Sequence, residues 1–497
     1  MIHRILLAIL ATLISPLSAH ASVIGEQSLP AGSQLALIVA PVGKTPIFEQ
    51  NASILLAPAS TQKILTAIAA YHGLPENFHY RTQIADVGNR TLIRFSGDPT
   101  FTRDDLRALL ARYRAQGGQF HGDIELQSGG FRGYQHAAGV PWDIHGICYS
   151  AAISEIALDG NCVQGALYAN APIHSIAKAT VPDFQPITLE SQARIIAPKS
   201  NEADFCTLEL YRNDKNAYHL KGCIEQSERV LPLRFALANP DRYIAQVIRA
   251  ELKAMGIPFK GRIVSKQLDF ASWKRPLHNA VIHQSMGRDA LITKMLHRSD
   301  NYIADSLTKT LGQRAQNAPG DFYNGTQALR HIALNQGIDL TNAVIADGSG
   351  LSRNNRMSAA HLYRMMQYLK EPRNAPLFAM MPIGGESGTM KYRPSMVKAP
   401  LKGNVQGKTG TLYGTHNLVS VVQTQQGPMI VVQMVSGYLP NKEQQAENPS
   451  PLTRFERSFY QALIQQGAQL FVSQSKILSE KLKHTSAQAQ KQINQTL

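Results

Sequence analysis

Outside its first residues the chain has no run of about 18 or more apolar residues, so no later segment is built to cross a bilayer as a helix. It also lacks C-x-x-C and H-E-x-x-H, and its sixteen histidines show no paired-ligand spacing. Dithiol redox chemistry and the common zinc sites are thereby excluded, and no metal or cofactor is expected. Acidic residues are few, 35 against 50 lysines and arginines, for a formal charge of +15. That excess is spread along the chain rather than blocked, and no basic-aromatic module accompanies it. Nucleic acid is therefore not an expected partner, while a dispersed basic surface suits an anionic polymer.

What is present begins with a leader. One arginine, an apolar run from Ile5 to Ile14 and small residues ending Ala19-His20-Ala21 make a secretory signal over residues 1–21, with cleavage before Ser22. The mature chain is expected outside the cytoplasm, in the periplasm. The four cysteines, Cys148, Cys162, Cys206 and Cys223, suit two disulfides in an oxidising compartment. Three connectivities exist. Sequential pairing would close two short loops, each stabilising its module by ~3 kcal/mol.

Three textures follow one another. Gln34–Ala40 and Ser53–Leu56 read as strands, and the segment from Ser60 to Gly73 reads as a helix with Ile64, Leu65 and Ile68 at helical spacing. From about Leu74 to Arg275 short alternating runs, such as Thr91–Phe95, Asp123–Leu126 and Arg194–Ala197, suggest inserted β-rich material, left through a helix from Arg242 to Met255. Helices then return at Asp289–Leu296, Ala304–Leu311, Gly325–Asn335 and Ala359–Leu369. A hairpin of Asn417–Gln423 and Met429–Val435 and a last helix over Phe455–Gln465 complete the pattern. Residues 467–497 read as a polar, solvated tail; Phe471, Leu478 and Leu482 would give it only a weak apolar face for a membrane surface.

Three short motifs carry chemistry. In Ser60-Thr-Gln-Lys63 the i,i+3 spacing puts a hydroxyl and an amine on one helix face, where a neutral lysine can act as base for serine. The same S-x-x-K pattern recurs, at Ser175, Ser395 and Ser473 among other places, but only Ser60 opens an apolar helix after a Pro-Ala segment. Ser299-Asp-Asn301 offers a hydroxyl to pass a proton and a carboxamide to hold a substrate amide; Ser352-Arg-Asn354 has the same pattern, and both also read as capping turns. Lys408-Thr409-Gly410-Thr411 occurs once, and would bind a carboxylate beside a glycine that lets substrate backbone approach. A phosphate loop is a poorer reading of Gly403–Thr409, one residue short and followed by strand and turn.

In the order S-x-x-K, S-x-N, K-T-G the three resemble the class C low-molecular-mass penicillin-binding proteins, the D-alanyl-D-alanine carboxypeptidases that also act as endopeptidases. Phe95–Thr100, Pro141-Trp-Asp143 and above all Ile345–Asn354 extend the likeness to about residue 465. The resemblance implies an α/β sandwich of the serine-transpeptidase and β-lactamase type. Its catalytic part would be residues 22–73 and 276–466, with one inserted domain at 74–165 and 240–275 and a second at 166–239. It implies Ser60 as acylated nucleophile, Lys63 as base, Ser299 as proton relay and Asn301 as amide ligand. Lys408 and Thr409 would take the terminal carboxylate, Gly410 would line the cleft, and the N–H groups of Ser60 and Thr411 would form the oxyanion hole. Arg353 would assist near the cleft. Asp143, one position off the family's pattern, would bind the amino end of a diaminopimelate side chain, and Tyr413 replaces the family's glutamine after K-T-G.

The expected substrates are peptidoglycan stem peptides and cross-links, with β-lactams as covalent ligands. A β-lactamase would need a glutamate in E-x-x-L-N, and the nearest match is His331-Ile-Ala-Leu-Asn335. A silent wall-binding scaffold would not need an activated nucleophile. Oligomeric state, a homodimer included, is left open by the sequence.

Overall fold

The computed structural model describes residues 23–471. The expected leader, residues 1–21, and residues 472–497 of the expected tail lie outside them; Phe471, expected in a solvated tail, is buried and stacked on Phe48 at 4.7 Å. Among the described residues no helix is long and apolar enough to cross a membrane.

The central sheet is antiparallel, in the order Val405–Leu412, Thr415–Thr424, Gly427–Ser436, Gln34–Pro41, Phe48–Gln50. The near-continuous apolar run of Gln34–Pro41 is explained by burial on both faces. Ala36, Ile38 and Ala40 point into a core shared with helices Lys63–Gly73, Arg288–Arg298, Asn301–Gln316, Phe322–Asn335 and Ala359–Leu369. The alternate residues Leu35, Leu37 and Val39 point to the other side, onto Phe455, Phe459 and Leu463 of helix Pro451–Gln466. Period-two alternation thus fills two cores from one strand. The helix from Lys63 is buried all round through Ala70, so it forms the hub of the first core rather than a surface element.

Two expectations shift. The second strand is Phe48–Gln50, and Ser53–Leu56 contributes only the bridge of Leu56 to Met357. The K-T-G segment itself lies in a strand, Val405–Leu412, at the sheet edge.

The long middle stretch leaves and rejoins at one place. Strand Arg81–Val87 pairs antiparallel with Val281–Gln284, so the entering and returning chains are neighbours. Ser285 Oγ accepts from Tyr80 N–H at 2.9 Å beside that pairing. A five-stranded sheet follows, ordered Ile263–Gln267, Ile124–Ser128, Arg90–Arg94, Arg81–Val87, Val281–Gln284, with its first three strands parallel. Parallel neighbours need crossovers, and helices Arg103–Ala115 and Pro240–Ala254 supply them. The first of these was not foreseen among short strands. Its signals are a Thr102/Asp105 capping box and an apolar stripe of Leu106, Leu109, Leu110 and Tyr113. Two smaller sheets complete the stretch, one around Ala217–Glu225 and one around Cys162–Ala169.

The cysteines pair sequentially, Cys148 with Cys162 and Cys206 with Cys223. Cys206–Cys223 ties the end of a turn to the strand Ala217–Glu225 across a separation of 17 residues. Replacing both by serine (Cys206→Ser with Cys223→Ser) is expected to lower stability by ~3 kcal/mol through the freed loop entropy. A denaturant midpoint indistinguishable from wild type would show that the bond contributes nothing.

Candidate active site

Ser60 lies half-buried in a 3-10 turn, Ala59–Gln62, that runs straight into the helix at Lys63. Ala59 holds the left-handed backbone, φ 49°, an uncommon conformation for a residue with a Cβ. The turn is clamped on several sides. Thr61 Oγ1 donates to Pro58 O at 2.6 Å, and Asn417 Nδ2 donates to both Ala57 O and Pro58 O at 2.9 Å. The edge strand presses on it so closely that a Cβ on Gly410 would stand 2.8 Å from Pro58 O and 3.0 Å from Thr61 N. Glycine at 410 is thus required by the approach of strand to turn.

Lys63 is completely buried. Its Nζ stands 3.0 Å from Ser60 Oγ, 2.6 Å from Asn301 Oδ1 and 2.6 Å from Ser349 O. Burial brings this ammonium down to about 8, against the opposing pull of Asp305, Asp347 and Asp300. Lys408 is equally buried, with Nζ donating to Ser299 Oγ at 2.9 Å and to Thr409 O at 2.8 Å. Burial first, then Lys63 and Arg393, push its pKa well below the ordinary lysine value.

Ser299 and Asn301 are presented by a break between two helices. Ser299 caps the end of Arg288–Arg298 in the left-handed region, φ 53°, and Asp300 caps the next helix by accepting from Ile303 N–H at 3.0 Å. The capping-turn reading and the functional reading therefore describe one structure. Asn301 Nδ2 donates to Tyr149 O at 2.7 Å, which brings the segment after Asp143 to the cleft. Thr409 Oγ1 shares a 2.9 Å hydrogen bond with Thr389 Oγ1, and Thr411 is exposed at the strand end.

The peripheral residues are looser. Asp143 is exposed in the turn Trp142–Ile144. Arg353 donates to Tyr413 O at 3.4 Å and, among the described residues, pairs with no carboxylate. Both act on one group, the Tyr149 phenol, whose pKa burial raises, with Asp143 raising it further and Arg353 opposing. Tyr413 is 81% exposed, so its ring is free to meet a ligand.

A second ring of residues escaped the sequence analysis. Asp347, at the head of the distinctive Asp347–Asn354 segment, accepts from Gly350 N–H (2.7 Å), Ser352 N–H (2.6 Å) and Asn355 Nδ2 (2.9 Å). Gln62 Nε2 reaches the same loop through Asn355 Oδ1 at 3.1 Å. Asp305 accepts from Gly348 N–H and Ser349 N–H, both at 2.9 Å, and so holds the Ser349 carbonyl against Lys63. Burial and Asp347 push the Asp305 carboxyl up to about 8, while Lys63 and the N–H donors oppose. The only sequence signal was the Asp347–Asn354 motif; Asp305 sits inside an ordinary helix with none.

The chain is similar to known proteins over most of its length. The model of the D-Ala-D-Ala carboxypeptidase 3 (S13) family matches residues 18–459. The chain is 32% identical over 451 residues to D-alanyl-D-alanine carboxypeptidase DacB of Haemophilus influenzae, covering 88% of this chain and 92% of that protein. It is 24% identical over 404 residues to the D-alanyl-D-alanine carboxypeptidase of an Actinomadura species, covering 77% and 74%. The crystal structure of penicillin binding protein 4 from Haemophilus influenzae superposes with a TM-score of 0.81 at 32% identity, over 89% of this chain and 98% of that one. The same protein complexed with a β-lactam superposes with a TM-score of 0.75 at 31% identity, over 89% and 98%. With most of its length matched in sequence and in fold, the chain belongs to the D-Ala-D-Ala carboxypeptidase 3 (S13) family.

Proposed function

We propose that the protein is a serine-type D-alanyl-D-alanine carboxypeptidase and DD-endopeptidase of peptidoglycan that works through an acyl-enzyme on Ser60. The observation that carries this reading is the pairing of two buried amines with two hydroxyls, Lys63 with Ser60 at 3.0 Å and Lys408 with Ser299 at 2.9 Å, in one cleft.

The hydrogen-bond directions favour Lys63 as the base. A neutral amine has two N–H bonds and one lone pair. The fixed acceptors Asn301 Oδ1 and Ser349 O take the two N–H bonds, which turns the lone pair toward Ser60 Oγ–H. Ser60 loses its proton to Lys63 as Oγ bonds the penultimate carbonyl carbon, and the N–H groups of Ser60 and Thr411 receive the developing oxyanion. The C–N bond then breaks, and Ser299 passes a proton to the departing D-amino acid. Water hydrolyses the ester and frees Ser60.

Among the described residues Lys408 has no counter-ion, and the substrate's terminal carboxylate would supply one. A carboxylate there holds Lys408 charged, and that charge keeps Lys63 neutral. Thr409 adds a hydroxyl to the same anion, and Asn301 holds the substrate amide. Asp143, Arg353 and Tyr413 border the outer cleft, where the rest of a stem peptide would run. A β-lactam would acylate Ser60 by the same attack. On this reading, residues 22–73 and 276–466 form the catalytic unit, 74–165 with 240–275 and 166–239 are the inserted units, and the mature protein meets its polymer in the periplasm.

Three outcomes are expected. Wild-type protein incubated with muropeptides should release D-alanine and convert cross-linked dimers to monomers, and Ser60→Ala should do neither; product formation by Ser60→Ala, resolved by mass, would sink the assignment. The second-order rate of labelling by a fluorescent penicillin should rise with pH and level off above about 8, because the deprotonated Lys63 is the active form. Below that point it should fall about tenfold per pH unit, and a flat profile between pH 6 and 9 would remove Lys63 as the base. Asp305→Ala should leave two buried N–H groups unpaired, at a cost of about 1–3 kcal/mol each. It should also let the Ser349 carbonyl drift and slow penicillin labelling by up to about 100-fold. Labelling at the wild-type rate by folded Asp305→Ala would show that the loop does not position Lys63.

A further inference from the structure

A cavity of about 950 Å³ lies away from the serine, between the helices of the first core and the five-stranded sheet. It is lined by Gly73, at the end of the helix that begins with Lys63, and by Arg314, near the end of the helix that begins with Asn301. At 1.5 Å per residue these ends are about 15 and 20 Å from the reacting groups, so the cavity is separate from the cleft.

Its lining is one-sided. Arg81, Lys274, Arg275 and Arg314 all border it and are exposed, and no lining residue carries a carboxylate. A fifth cation, Arg94, is buried in the wall and donates to Gln127 Oε1 and Trp273 O, and Lys274 Nζ donates to Asn317 Oδ1 at 2.7 Å. Among the described residues none of the four makes an ion pair, whereas arginines elsewhere in the inserted stretch, such as Arg103 and Arg262, do. Asp269, a carboxylate that feels the charge of Arg275, is engaged in capping its helix, accepting from Ser272 N–H at 2.8 Å. The wall beside these cations is aromatic. Phe270 and Trp273 stack at 5.8 Å, and Lys274 Nζ lies 5.5 Å from the Phe270 ring centre.

Four uncompensated cations around one concavity repel one another, and an anion with several charges relieves that repulsion. The volume is at the upper end of the ~300–1,000 Å³ of small-ligand sites, large enough for a short peptide. We infer that this cavity is a second, non-catalytic binding site for an oligopeptide bearing several carboxylates, the stem peptide of a neighbouring chain of the polymer, which it holds while the cleft works elsewhere. The choice of polymer rests on the function proposed above; the anionic, multi-carboxylate character of the ligand rests on the cavity alone. The same carboxylates occur on a free stem peptide and on one still joined to its disaccharide.

The test uses full-length protein with Ser60 already acylated by penicillin, so that the cleft is blocked, and measures binding of a disaccharide-tetrapeptide and of the free tetrapeptide by calorimetry. Arg275→Ser with Arg314→Ser should weaken binding at least about tenfold, as expected for two lost charge-assisted contacts. Arg275→Lys with Arg314→Lys should largely keep it, and amidating the peptide's carboxylates should abolish it. Tighter binding of the disaccharide form would extend the site to the sugar; equal binding would confine it to the peptide. Unchanged affinity in the serine variant, or equal affinity for the amidated peptide, would overturn the proposal. Because the penicillin step reports on Ser60 independently, normal acylation with absent peptide binding would count against this cavity alone, and absent acylation against the proposed function.

Discussion

The side chain of Lys63 runs its whole length through the interior and ends on three oxygens, that of Ser60 from the turn just before it and those of Asn301 and Ser349 from two remote segments. An amine in that position is costly unless every N–H finds an acceptor or the charge is given up. Both remedies are built in: the acceptors are fixed, and burial lowers the pKa to about 8, which favours the neutral amine. Most of the surrounding structure serves to keep those acceptors in place. The buried helix supplies Lys63, the break between two helices supplies Asn301, and the Asp347–Asn355 loop supplies the carbonyl.

Lys408 presents the complementary case. It is as buried as Lys63 yet lies among cations, with Arg393 held by Glu456 behind the sheet. Lys63 has acidic neighbours that partly restore its charge; Lys408 has hydroxyl and carbonyl oxygens only. A site with this imbalance gains most from a ligand that brings its own negative charge to the Lys408 end.

Much of this was legible in the sequence because it resides in side chains at fixed spacing. Ser60 and Lys63 share a helix face, Lys408 to Thr411 follow one another in the chain, and the alternating and helical periods place most of the two cores on either side of the central sheet. What escaped notice acts through backbone or across long separations. Ser349 contributes a carbonyl, a group every residue has. Asp305 holds that carbonyl from the middle of a helix where its neighbours look like any buried face. Helix Arg103–Ala115 was lost among short strands because its mean polarity is high and its signal is confined to four apolar positions and a cap. The second strand moved from the apolar Ser53–Leu56 to Phe48–Gln50 since pairing with Gln34–Pro41, rather than hydrophobicity, decides that edge.

The antiparallel pairing of Arg81–Val87 with Val281–Gln284 makes the intervening two hundred or so residues a closed excursion. Once the two ends of a detour are zipped together, its contour length scarcely matters to the body it leaves, since doubling a loop adds only about 0.6 kcal/mol. The excursion is thus free to lengthen, shorten or exchange its outlying sheets, while the stretches that fold back, through Gly130, Ala138, Tyr149 and Asn161, to touch Gln313, Ser352, Asn301 and Tyr302 are held to their place. A protein so built can revise which neighbours it grips without re-engineering how it cuts.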